Sequence, residues 1–211
     1  MKVIAIDGPA ASGKSSVSRR LANRLQCLSV NSGSMYRAVT WEVLRQGINP
    51  TAVADVESAL QDIHVDYGFG KDGDSLVKVN SRVLDAELRE SIVNSNVSAV
   101  SAIPAVRHLI VARLRDLALG KEIVMEGRDI GSIVFPDTPY KFYLDASPEV
   151  RRRRRASEGE ADSIDQRDKQ DSTRAEAPLM VATGAAVIDT SELSLDEVVD
   201  KIFSLLGEVG K

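Results

Sequence analysis

The period of the apolar positions changes several times along the chain, and each change marks an element. "KVIAID", Lys2 to Asp7, is short, β-branched and apolar, and predicts a buried strand. It runs into "GPAASGKSSVSRRLANRL", where Val17, Leu21 and Leu25 recur at helical spacing, so strand, loop and helix follow one another. A second apolar run, "CLSV", meets "NSGS" and then a helical pattern through "MYRAVTWEVLRQG", closed by Gly47 and Pro50. From about Asp62 to Val83 the texture becomes strand-like, "IHVDYGF" and "SLVKVN" around the turn-rich "GKDGD", and predicts a small antiparallel insertion. Helical patterns return from Leu88 through "SAIPAVRHLIVARLRDLAL", after which "KEIVME" and "YKFYLD" predict two more buried strands. "AAVID" is a further strand, and "SLDEVVDKIFSLLGEVG" a helix opened by Ser194 with Glu197 three residues on, a capping box. Strands alternating with helices over most of the chain predict an α/β fold, a mostly parallel sheet covered on both faces. There is no internal repeat and no low-complexity linker.

At 211 residues the chain suits one domain carrying an insertion. Hydrophobic residues at 43% and charged residues at 27% are ordinary for a soluble globular protein. No window approaches the roughly 18 to 20 apolar residues of a membrane span. "MKVIAID" leads into a glycine-rich turn without the basic and apolar segments of a secretory signal, so a cytoplasmic location is expected. The single cysteine, Cys27, excludes an intramolecular disulfide and a cysteine-based zinc site. A net charge of -4 and a pI near 5.3 argue against a nucleic-acid partner, and the expected state is a monomer.

"GPAASGKS" fits G-x-x-x-x-G-K-[ST] between a predicted strand and a predicted helix, the context a phosphate-binding loop requires. Its residues Gly8, Pro9, Ala10, Ala11, Ser12, Gly13, Lys14, Ser15 and Ser16 are the expected ATP site. Glycines let backbone N–H groups turn towards phosphate oxygens, Lys14 reaches the terminal phosphates, and the Ser15 hydroxyl binds Mg²⁺. Glu126 at the end of "EIVM" either holds Mg²⁺ through water or pairs with Arg128 or Lys14. Neither N-K-x-D nor T-K-x-D is present for guanine, and no D-x-x-G switch follows a second strand, which speaks against a regulatory GTPase. A hydroxyl acceptor needs a group to manage its proton, whereas an acceptor phosphate needs charge neutralisation. Arginines therefore matter: Arg37, Arg107, Arg128, the run Arg151 to Arg155, Arg167 and Arg174. Arg167, Asp171 and Arg174, spaced i, i+4 and i+7, are expected on one helix face. Ser147 is a candidate N-cap with Pro148 at the first helical position, so the arginine run predicts a helix on which Arg151, Arg154 and Arg155 share a face. Arg152 and Arg153 are expected to be solvated or paired with "EGEAD".

"IDGPAASGKSS", "NSGSMYRAVT", "EGRDIGSIVFPD", "KFYLDASPEVRRRR", "RDKQDSTRAEAPL" and "AAVIDTSELSLDEVV" together resemble the bacterial-type cytidylate kinases, over nearly the whole chain. The resemblance implies a nucleoside monophosphate kinase fold of the P-loop type. Its core would span about 1–60, 104–150 and 175–211, an acceptor-binding insertion about 61–103, and a short lid about 151–174. It implies γ-phosphoryl transfer from MgATP to CMP or dCMP in pyrimidine metabolism. Lys14, Arg128, Arg154 and Arg155 are the implied catalytic residues. Ser32, Gly33, Tyr36 and Arg37 would line the acceptor, with Arg37, Arg128 and Arg174 on its phosphate. Ser98, Arg107 and Asp129 would read cytosine, and Arg167 and Asp171 would contact the sugar. Family members carry a longer helical hairpin where this chain has "ASEGEADSIDQ", so the lid is truncated or residues are missing from the sequence. The rival readings are a shikimate-like or adenylate-like kinase and a nucleotide sensor without turnover.

Overall fold

The first apolar run becomes the middle strand of a sheet in the computed structural model, which describes residues 2–69, 75–157, 164–174 and 176–208. In chain order the first half contains β1 (Lys2–Asp7), α1 (Lys14–Leu25), β2 (Leu28–Asn31), α2 (Ser32–Arg45), α3 (Val53–Ala59), β3 (Val65–Phe69), β4 (Ser75–Val79) and β5 (Arg82–Leu84). The second half contains α4 (Ser91–Ser101), α5 (Pro104–Ala118), β6 (Glu122–Gly127), β7 (Lys141–Asp145), α6 (Pro148–Ser157), α7 (Ile164–Ser172), β8 (Ala186–Asp189) and α8 (Leu195–Glu208). The chain divides into two compact units, one of Met1–Val30 with Ala118–Lys211 and the other of Asn31–Leu117.

The first unit holds a five-stranded sheet in the order β2-β6-β1-β7-β8, with β6, β1, β7 and β8 parallel. Ile4 and Ile6 of β1 are buried with Val17 and Leu21 of α1, Val124, Phe142, Leu144 and Ile188 of the neighbouring strands, and Val198 and Ile202 of α8. Val3 and Ala5, on the opposite face of β1, are buried too, which is why this strand reads as continuously apolar rather than alternating. Each such valine, leucine, isoleucine or phenylalanine contributes about 1.5–3 kcal/mol when fully buried. The expected capping box closes the start of α8: Ser194 donates its N–H to Glu197 at 2.8 Å, and the Glu197 N–H returns to the Ser194 hydroxyl at 3.3 Å. Register sets Asp7 beside Gly127 and Tyr143, and Asp145 beside Asp189. The glycine loop, Arg128–Asp129, Ala146–Ser147 and Thr190 therefore leave the sheet along one edge, where open α/β sheets hold their ligands.

In the second unit α2 packs on α4 and on the antiparallel β3–β4–β5 sheet, burying Met35, Val39, Val43, Val77, Val79, Val93 and Val97. This unit, Asn31–Leu117, contains the stretch over 61–103 together with α2 and nearly all of α5. The third strand, β5, was not expected from the pattern. It is three residues long and follows Asn80 and Ser81, whose φ values of 47° and 68° make the tight turn without the usual glycine. Nor was α3, which has only Val56 deeply buried. The long helical stretch after Leu88 breaks at Pro104 into α4 and α5, bent by 98°. Among the described residues no single helix is long and apolar enough to cross a membrane. Most of the expected lid connection, 158–163, lies outside the described residues.

Strand β1 ends on Asp7, 3% exposed, whose carboxylate accepts the N–H groups of Ile130 at 2.8 Å and Gly131 at 2.7 Å. Those residues open a single π-helical turn, Ile130–Val134, that fixes the chain just after Arg128 and Asp129. A side chain at Gly131 would press on Lys141 and on the Asp7 carboxylate, 3.3 Å from its Oδ2. Burial raises the Asp7 pKa to about 6; neighbouring Asp129 adds to this, and the two N–H groups and Lys14 oppose it.

Two outcomes are expected. A Cβ on Gly8, where φ is +150°, would lie 2.0 Å from the Leu144 carbonyl oxygen, whereas one on Gly47, with φ +73°, would meet nothing within 4 Å. Gly8→Ala should therefore cost about 3 kcal/mol or more and Gly47→Ala only about 1 kcal/mol in chemical unfolding, and equal losses would mean the Gly8 clash is absorbed elsewhere. Second, Asp7 keeps its proton up to about pH 6 when folded. When unfolded it loses that proton near 4, so its favourable contribution at low pH fades as pH rises through 6. Relative to Asp7→Asn, the wild type should lose about 2 kcal/mol of unfolding free energy between pH 4 and 7; a flat difference would contradict that titration.

Candidate active site

The loop after β1 turns on residues in the left-handed region: Gly8, Ala11 with φ 56°, and Gly13 with φ 92°, which caps α1. Left-handed backbone at an alanine costs roughly 1–2 kcal/mol and persists only where its surroundings hold it. No acidic residue occupies the first turn of α1, so its N-terminus keeps its positive potential for an anion. Lys14 is buried and donates to the Pro9 carbonyl at 2.5 Å and to the Ser12 hydroxyl at 3.4 Å. Burial, and then the nearby Arg128 guanidinium, push its ammonium well below the ordinary lysine value, while Glu126, Asp168 and Asp7 pull the other way.

Arginines approach this loop from β6 and from the two helices after β7. Arg128 donates from Nη1 to the Gly8 carbonyl at 2.6 Å and from Nε to Asp171 at 2.8 Å. Arg174 donates to the other oxygen of the same Asp171 carboxylate. α7 stops at Ser172, so Arg174 lies just past the helix the spacing suggested, yet its guanidinium still pairs with Asp171 three residues before it. Arg167 lies in α7, but its side chain is outside the described residues.

On α6 the Ser147 hydroxyl accepts the Val150 N–H at 3.3 Å, the expected N-cap. Arg151 and Arg155 are buried, Arg154 half-buried, and Arg152 and Arg153 exposed. Arg151 donates to Asp168 and to the carbonyls of Ala146 at 3.1 Å and Ala10 at 3.3 Å. Arg154 donates to Thr190, at 3.0 Å to the hydroxyl and 2.7 Å to the carbonyl, and the Thr190 hydroxyl reaches the Ser12 carbonyl at 3.1 Å.

In the second unit Ser32 and Gly33 open α2, whose first turn has no acidic residue. A side chain on Gly33 would sit 3.0 Å from an Arg37 nitrogen, so its absence lets that guanidinium fold over the helix start. Arg37 donates to Asn94 at 3.2 Å. Arg107 is buried, donates to the Ser101 carbonyl at 3.2 Å, and lies 5.6 Å from the centre of the Tyr36 ring. Ser98 is buried on α4.

The first unit thus gathers Lys14, Arg128, Asp171 and Arg174, with the buried Asp129 next to Arg128 in sequence, and the second holds Arg37, Ser98 and the adjoining Tyr36 and Arg107. Asp7, Asp168 and Thr190 escaped the sequence reading. Asp7 and Thr190 each stand at the end of an apolar run, which is a usable signal; Asp168 carried none. For a metal, Ser15 offers an exposed hydroxyl at the second position of α1, a hard oxygen suited to Mg²⁺ that takes its remaining ligands from phosphate and water. Among the described residues no group of three or more His, Cys, Asp or Glu is placed to hold a metal.

A protein-family model described as "Cytidylate kinase" matches residues 4–208. A curated cytidylate kinase from Nocardia farcinica is 42% identical over 98% of this chain and 94% of its own length. One from Clostridium botulinum is 37% identical over 96% of each. Among solved structures, a gluconokinase from Sinorhizobium meliloti is similar in fold, with a TM-score of 0.53 at 14% identity over 99% of this chain and 93% of its own. With that family model spanning all but the chain ends and relatives above 30% identity over nearly full length, the chain belongs to the cytidylate kinase family.

Proposed function

We propose that the protein transfers the γ-phosphoryl group of ATP to CMP or dCMP, giving ADP and CDP or dCDP. Arg128 is the observation that carries the chemistry. Its guanidinium touches the Gly8 carbonyl of the donor loop and, with Arg174, grips a carboxylate. An acceptor phosphate taken by the same two guanidinium groups would lie beside the donor's terminal phosphate. An oxygen of that acceptor phosphate attacks the γ-phosphorus, the bond to the ADP oxygen breaks, and no proton has to leave the nucleophile at neutral pH.

Lys14 and the loop N–H groups hold the donor phosphates, and the buried Arg155 with Arg154 supplies charge from α6. Ser15 would hold Mg²⁺, which when bound would supply charge neutralisation at the donor phosphates. In the second unit Arg37 takes the acceptor phosphate, while Ser98 and Arg107 serve the cytosine acceptors. Asp129 accepts from the cytosine amino group, where uracil presents an oxygen instead. Asp171 and Arg167 contact the sugar. We place the activity in the cytoplasm, in a monomer acting on free nucleotides in pyrimidine metabolism.

CMP, dCMP, UMP, AMP and GMP compared as acceptors in an assay of ADP release should rank the cytidine nucleotides first, with UMP roughly tenfold to a hundredfold poorer. Equal use of UMP would defeat the role of Asp129, and consumption of only a hydroxyl metabolite would defeat the phosphate-acceptor reading. Lys14→Ala and Arg155→Ala should each lower kcat on the order of 10²-fold with the fold kept by circular dichroism, whereas Arg153→Ala should stay within about twofold. The reverse order would mean that α6 turns its other face to the reaction.

A further inference from the structure

Asp168 is explained neither by the loop motif nor by the acceptor arginines. Its Oδ1 accepts the Ala10 N–H at 3.1 Å, and its other oxygen accepts the Arg151 guanidinium. Arg151 also donates to the Ala10 carbonyl, at 3.3 Å, and to the Ala146 carbonyl, at 3.1 Å. One ion pair between α6 and α7 therefore holds both backbone polar groups of Ala10. The side chains are 10% and 16% exposed, so water screens the pair little and it keeps its geometry. The residue so held precedes Ala11, the alanine in the left-handed region that needs outside support.

The position along the loop says what such a grip would do. In a loop of this type the lysine reaches the β- and γ-phosphates, and the Lys14 Nζ lies 2.5 Å from the carbonyl of Pro9, the residue just before Ala10. The Ala10 arc thus flanks the end of the loop that meets the terminal phosphate. Asp168 is also among the carboxylates that act on Lys14 itself.

We propose that Asp168 is a positioning residue: it orients Arg151 and the Ala10 backbone so that the guanidinium faces the donor's terminal phosphate, which makes the loop prefer ATP over ADP. The inference rests on the kinase reading of the chain. Asp168→Asn keeps an oxygen for the Ala10 N–H and removes the charge that orients Arg151. Affinities for ATP and ADP by titration calorimetry, kcat and KM with CMP, and thermal unfolding should be measured for Asp168→Asn, Arg151→Ala, Arg151→Lys and the Asp168→Asn/Arg151→Ala pair.

Asp168→Asn should lose about tenfold in the ratio of ATP to ADP affinity and about tenfold in kcat, with KM for CMP within about threefold. The double variant should be no worse than Arg151→Ala by more than about twofold, because Asp168 acts through Arg151. Arg151→Lys should fall between wild type and Arg151→Ala. Unchanged nucleotide preference, losses that multiply in the double variant, or a loss that only follows a lowered unfolding midpoint would each overturn the proposal. The ATP-to-ADP ratio needs no acceptor. A wild type that prefers ATP but ignores CMP would defeat the acceptor assignment while the role of Asp168 is still read from the variants.

Discussion

Lys14, Arg128 and Arg151 all make hydrogen bonds to the single loop between β1 and α1, with Arg174 joined to Arg128 through Asp171, and the first unit is organised around tolerating them. Two like charges 4 Å apart repel by roughly 4 kcal/mol at an effective dielectric constant of 20, so a cluster of cations threatens a fold of ordinary stability. Oxygens offset the repulsion one by one. Lys14 has the Pro9 carbonyl, Arg128 has Gly8 and Asp171, Arg151 has Ala10 and Asp168, and Arg174 shares Asp171. The compensation is incomplete at Lys14, whose ammonium burial and Arg128 disfavour. A bound polyphosphate would complete it, so the strain tolerated by the fold becomes affinity for the substrate.

The fold by itself does not decide this. A gluconokinase shares it at 14% identity, and its name places a sugar acid, not a nucleotide, in the acceptor role. What separates the two chemistries is the acceptor side. A hydroxyl needs a group to handle its proton, whereas here Arg128 and Arg174 each hold one oxygen of a single carboxylate, and guanidinium groups so paired suit a phosphate equally well.

The phosphate loop was legible in the sequence because its requirement is local: glycines at fixed spacing, a lysine, a hydroxyl, and a strand and helix on either side. The arginines were legible by type but not by pairing, since which oxygen each one meets depends on the register of β1, β6, β7 and β8. Arg174 shows the limit. Its spacing from Asp171 suggested one helix face, and the two do meet at i, i+3 although α7 ends between them; that Arg128 takes the other oxygen of the same carboxylate was not in the spacing. Asp168 was invisible for the same reason: an aspartate on a polar helix has no periodicity to betray that α7 lies against the loop. Asp7 was closer to legible, as a carboxylate ending a fully buried strand must find donors, and the π-helical turn supplies two.

Five consecutive arginines in a chain of net charge -4 look like a basic patch only while the run is read as a string. Ser147 and Pro148 start a helix, and a helix places Arg151 and Arg155 a turn apart on one side while it sends Arg152 and Arg153 outward. Burial follows that division, with Arg151 and Arg155 each 9% exposed. Burying a guanidinium is costly unless it is paired, and Arg151 is paired with Asp168, only three residues before the carboxylate that joins Arg128 to Arg174. The two aspartates, one turn apart on α7, therefore tie the arginines of α6 and of β6 to the same loop, one at Ala10 and the other through Arg128 at Gly8.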